Sequence, residues 1–84
     1  MANNAFMKQI AVTESFQPLG ERAVYTVDIS CPPTNTAPVY VRADGGDEVP
    51  WIPGEWHNLR RIRLSEISVR GTPGDVVSIV GGTW

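Results

Sequence analysis

The sequence predicts an all-β protein: a small antiparallel β-sandwich or barrel of six to eight short strands. Three observations carry this. Ten Val, six Ile and six Thr make 22 of the 84 residues β-branched, against three Leu and six Ala. Branching at Cβ suits a pleated surface and loses rotamer freedom in a helix. Eight Gly and seven Pro punctuate the chain at turn positions. No window of a dozen residues free of helix breakers shows a clean 3.6-residue period, whereas apolar alternation recurs at roughly ten-residue spacing, as in sandwiches and small barrels.

The first six residues read as an N-terminal arm, and residues 7–84 as a single β domain. From Met7 to Phe16 the apolar positions Ile10, Val12 and Phe16 alternate with Gln9, Thr13 and Ser15, closed by Pro18-Leu19-Gly20. Ala23, Tyr25, Val27, Ile29 and Cys31 then alternate with Arg22, Val24, Thr26, Asp28 and Ser30, the cleanest strand pattern in the chain. The segment from Pro32 to Pro38 lacks a backbone donor at three prolines and must be a connection. A short strand over Val39–Ala43 ends at Asp44-Gly45-Gly46-Asp47. Two prolines confine Val49–Pro53 to a sheet edge, and Pro53-Gly54 fits the centre of a type II turn.

Beyond that turn, Trp56, Leu59, Ile62 and Leu64 are followed by Ile67 and Val69, with a parity switch at Ser65-Glu66 that calls for a bulge or sharp bend. Thr72-Pro73-Gly74-Asp75 is expected to join the last two strands as a hairpin, with Val69 and Val77 or Ile79 facing one core. Val76–Val80 is apolar on both parities, as in a central strand covered on both faces.

Size and charge narrow the function classes. A chain this short buries only about 60–65% of its unfolded surface. A net charge of −2 does not fit a general nucleic-acid binder, and no apolar run approaches a membrane span. One Cys and one His leave little for disulfide, metal or nucleophile chemistry. No phosphate loop, dinucleotide glycine pattern or Gly-x-Ser-x-Gly occurs. No enzyme activity and no cofactor is expected. The N-terminus lacks the charged start and apolar core of a secretory signal, so synthesis in the cytoplasm is expected.

Asp44, Asp47 and Glu48 share one loop but fall short of a calcium loop, and a solvated hairpin turn is expected. Arg60-Arg61-Ile62-Arg63 is the one basic cluster. As a strand it would place Arg61 and Arg63 on one face and Arg60 with Ile62 on the other. The six Arg against one Lys favour an interface at Arg61 and Arg63, since Arg is enriched there and Lys depleted. Trp51 and Trp56 flank the Pro-Gly turn and are read either as core or as a stacking platform for sugars. Trp84 gains little unless it docks, on its own core or on another subunit. His57 and Cys31 read as structural residues.

Val49-Pro50-Trp51, Pro53-Gly54-Glu55, Leu64–Gly71 and Pro73–Gly81 together resemble small all-β virion proteins of tailed bacteriophages. The resemblance covers residues 49–84. It implies a capsid decoration (cement) protein or a tail or neck accessory subunit, without catalysis or cofactor, located in the virion after synthesis in the host cytoplasm. Its partners would be further copies of itself and a capsid or tail protein. The resemblance supplies no functional residues; Trp84, Arg61, Arg63, Trp51 and Trp56 are expected at an interface from their own chemistry, with no nucleic-acid or membrane partner expected. The alternative is a carbohydrate-binding or adhesion module built on exposed Trp residues.

Overall fold

The computed structural model describes residues 4–83. Eight strands form: β1 (Ala5–Ala11), β2 (Gln17–Pro18), β3 (Ala23–Ser30), β4 (Val39–Ala43), β5 (Val49–Trp51), β6 (Trp56–Arg63), β7 (Ile67–Arg70) and β8 (Val76–Gly82). They make two four-stranded antiparallel sheets, ordered β1-β8-β3-β6 and β2-β7-β4-β5. The expected all-β class holds, and of its two forms the structure is the sandwich.

The pairing has a simple logic. Ala5 pairs with Gly82, Gln17 with Val69, Ala23 with Arg63 and Val39 with Trp51. Each pair nests inside the one before it. The chain is therefore one long hairpin, closed at the β4–β5 turn and rolled so that β8 lies against β3 and β7 against β4. Eight strands in this order form a jelly roll. At the hairpin tip Gly46 N donates to the Ala43 carbonyl at 2.9 Å. Asp44 and Gly45 both take positive φ, +52° and +66°, as a type I′ turn requires. The acidic segment is the hairpin turn expected of it.

The core lies between the sheets. Val27, Ile29, Val77 and Ile79 meet Val39, Val41, Ile67 and Val69, and Val12, Leu19, Cys31 and Leu64 close the gaps. Each such side chain contributes about 1.5–3 kcal/mol by leaving water. Cys31 is fully buried, as expected of a small hydrophobe.

Several expectations need correction. The run from Met7 to Phe16 is not one strand: β1 starts at Ala5, with Phe6 packed against the core, and the chain crosses to the other sheet after Ala11. The arm expected over the first six residues thus loses Ala5 and Phe6 to β1. Phe16 ends up half-buried and apart from the core cluster, with the Arg42 guanidinium 4.3 Å from its ring centroid. The turn at Thr72–Asp75 forms, with Asp75 N on the Thr72 carbonyl at 3.0 Å and Gly74 at φ +100°. It does not make a hairpin, because β7 and β8 belong to opposite sheets. Val69, Val77 and Ile79 still face one core. β8 is central in its sheet, but Val80 on its outer side is exposed, so it is covered on one face only.

A bend was expected at Ser65-Glu66, and a 3-10 turn stands at Leu64–Glu66, carrying the chain from one sheet to the other. A second reversal comes earlier. In β3 the buried residues are Val24, Val27 and Ile29, while Tyr25 is exposed; opposite them Ile62 and Leu59 pack on the core. Both strands change face at the same level, where Arg61 takes φ +54°. Arg60 therefore does not lie with Ile62: Arg60, Arg61 and Arg63 are all exposed.

Candidate functional site

β5 and β6 are the outermost strands of their respective sheets, joined by the turn Ile52–Glu55. Pro53 pre-sets the first central position and Gly54 accepts φ +95°, the type II geometry expected. Glu55 N closes the turn on the Ile52 carbonyl at 2.9 Å. The turn is pinned to the end of β3: Cys31 N donates to the Glu55 carbonyl at 2.8 Å and Gly54 N to the Cys31 carbonyl at 2.7 Å. Prolines 50 and 53 keep β5 short, and among the described residues no strand pairs beyond β5 or β6.

The two edges stand apart and leave a groove of about 510 Å³. Val41, Val49, Trp51, Leu59 and Ile67 make it apolar, and Asp47, Glu55, His57 and Asn58 line its polar parts. Trp51 is 8% exposed and stacks on His57, with ring centroids 4.6 Å apart and planes tilted by 48°. His57 Nε2 meets the Glu55 carboxylate at 2.6 Å, and Ile52 N donates to the other carboxylate oxygen at 3.1 Å. The His57 hydrogen bond, helped by the Ile52 N–H and the His57 charge, holds the Glu55 carboxyl below its ordinary value of 4.5 against a smaller upward push from desolvation. Trp51, His57 and Glu55 thus form a connected unit in the groove lining. The lining has no Ser, Thr, Cys or Lys; its polar groups are the Asp47 and Glu55 carboxylates, the His57 imidazole and the Asn58 amide, set beside an apolar wall.

Among the described residues six large hydrophobic side chains are exposed, three of them at or beside the groove and the others, Met7, Tyr25 and Val80, on β1, β3 and β8. Val49 lines the groove at 50% exposure, and Ile52 and Trp56, at 61% each, flank the Pro53-Gly54 turn. Of the two readings of these tryptophans, core holds for Trp51, at 8% exposure, and fails for Trp56, at 61%; the alternative, a stacking platform shared by both, is not formed. Trp51 is buried in the groove wall of one sheet, while Trp56 opens β6 in the other sheet, paired with Ser30. His57, expected as a structural histidine, is half exposed and part of the groove. Trp84 lies outside the described residues.

The basic cluster sits on the same side. Arg61 lies 5.5 Å from the Tyr25 ring centroid. Among the described residues two ion pairs form, His57–Glu55 and Arg70–Glu48, and neither uses Arg60, Arg61 or Arg63. On the acidic side, Asp44 and Asp47 stand in the β4–β5 loop, and Asp47 lines the groove as Leu59 does.

Sequence reasoning picked out Trp51, Trp56 and the arginines one by one but not the groove, which Trp51 lines and beside which Trp56 and the arginines stand on β6. The groove depends on which strands are outermost, and only the two prolines of β5 hinted at that. Family models, curated proteins and solved structures give no match to this chain.

Proposed function

We propose that this protein is a non-catalytic assembly subunit, of the capsid decoration or tail and neck accessory class of tailed-phage virions. It associates with itself and docks on a larger protein lattice. The observation that carries the reading is the open β5–β6 side: an apolar groove lined in part by exposed Val49, with exposed Ile52 and Trp56 flanking the turn that joins the two strands. Contiguous exposed apolar surface with a charged surround marks a protein interaction site. The jelly roll accommodates this role, being common to capsid and lectin domains, although function lives in the site and not in the fold. The carbohydrate alternative has lost its paired Trp platform and, among the described tryptophans, keeps one exposed ring, Trp56.

The test is cosedimentation of the purified protein with capsids and with tails assembled without it, comparing wild type with Ile52→Ser/Trp56→Ser. Saturable binding by wild type that the variant loses supports the reading. Binding to neither particle, or equal binding by the folded variant, overturns it.

A further inference from the structure

The β5–β6 side carries opposite charges on its two borders, and this selects among the surfaces it can meet. On one border Leu59 leads into Arg60, Arg61 and Arg63, all exposed. On the other, Val49 follows Asp47, with Asp44 at the tip of the same loop, and both carboxylates are exposed. The apolar groove runs between them. An acidic partner would satisfy the arginines but face Asp44 and Asp47; a basic partner would meet the reverse problem. A polyanion such as nucleic acid would also be repelled by the overall charge of −2.

A second copy of the same surface, turned by a two-fold axis along the groove, satisfies both borders at once. Its arginines lie over the first copy's acidic loop, and its acidic loop lies over the first copy's arginines. A surface that is positive on one side, negative on the other and apolar between is self-complementary, as an isologous dimer requires. Direct pairing of β6 with its own copy is a poorer solution. It would set like charges side by side, and the left-handed Arg61 interrupts the ladder.

The geometry points to a two-fold homodimer that closes the groove, held by reciprocal contacts of Arg60, Arg61 and Arg63 with Asp44 and Asp47. This rests on the assembly reading above and assigns the self-contacting surface within it.

Charge exchange tests it. One variant carries Arg60→Glu and Arg63→Glu. The other carries Asp44→Asn and Asp47→Lys, the Asn chosen because it tolerates positive φ. Mass is read by light scattering and sedimentation, with circular dichroism melts to confirm folding. Wild type is expected to be a dimer whose dissociation constant rises roughly tenfold or more from low salt to ~0.5 M salt. Each folded variant alone is expected to be a monomer, and their equimolar mixture a dimer, because in the mixed pair both borders are again complementary.

A wild type that stays monomeric at every concentration and salt overturns the inference, and so does a mixture of folded variants that stays monomeric. If a variant does not fold, the wild type decides: salt-insensitive association overturns the inference, and salt-sensitive association supports it. Salt-insensitive self-association, or lattice binding by a monomer, removes this surface assignment and leaves the assembly reading standing. Absence of both self-association and lattice binding removes the two together.

Discussion

Asp75 is 4% exposed, and its carboxylate accepts hydrogen bonds from Thr36 N at 3.0 Å, Thr36 Oγ1 at 3.1 Å and Ala37 N at 3.2 Å. Beside it the buried Asn35 side chain accepts from Val76 N at 3.0 Å and donates to the Val76 carbonyl at 2.8 Å. Together they dock the proline-rich connection onto the start of β8, giving partners to backbone groups that no ladder reaches. Replacing Asp75 by Ala leaves several donors without an acceptor and should cost about 1–3 kcal/mol. The expected readout is a lower urea midpoint with an unchanged slope; an unchanged midpoint would show that water replaces the carboxylate at no loss. Glu55 makes a pH-dependent contribution. Its carboxyl titrates below 4.5 in the folded protein, so the stabilisation is present above about pH 4.5 and fades as pH falls through the folded value. The melting-temperature gap between wild type and Glu55→Gln should therefore shrink on acidification below that point. A gap that stays constant across that range would assign the effect to packing. The arginine excess also resolves at this scale. Arg22, Arg42, Arg61 and Arg70 lie over Phe6, Phe16, Tyr25 and Tyr40, with Arg70 also near Phe16. Planar guanidinium groups stack on rings where ammonium groups do not. Four of the six arginines thus make cation–π contacts within the chain, which gives the arginine bias a second role beside the interface reading.

The facing reversal in β3 and β6 is a property of two elements together. Arg61 holds φ +54° without being Gly, a conformation that costs an L-residue about 1–2 kcal/mol. Gly relieves that strain, whereas a β-branched residue increases it. Arg61→Val should be less stable than Arg61→Gly by about 1–2 kcal/mol, measured by paired denaturant melts. Equal stabilities would mean that the reversal relaxes when the side chain changes. This is also where sequence reading stopped. Turns marked by Pro-Gly or Asp-Gly-Gly were legible because those residues name a backbone geometry. So were the bounds of β4 and the edge position of β5. The faces of Tyr25 and Arg60 were not, because parity counting assumes an unbroken pleat and no glycine announces the break. The sheet assignment of β7 and β8 was equally hidden. Pro73-Gly74 says that the chain turns, not whether it turns within a sheet or between sheets. The groove followed from such assignments, so the candidate site was legible only as separate residues.

For the whole molecule, nesting means that almost every pairing joins distant parts of the chain. Only β4 and β5 are close in sequence, and β1 waits for β8. Loop closure must precede the contacts that offset it, so sandwiches of this kind fold in roughly milliseconds to seconds. We expect refolding in that range, followed by tryptophan fluorescence in stopped flow; a microsecond phase carrying the full amplitude would mean that the nested order does not govern the rate. The rolled hairpin also brings its two ends together: Thr83 N donates to the Asn4 carbonyl at 3.0 Å, and Asn4 N to Thr83 Oγ1 at 3.3 Å. Residues 4 and 83 can therefore be bridged by a few glycines and the chain reopened between Gly45 and Gly46. In such a circular permutant β8 and β1 become the local hairpin, and β4 and β5 become the distant pair. The same sandwich would then assemble in the opposite direction, from its rim inward to its former tip.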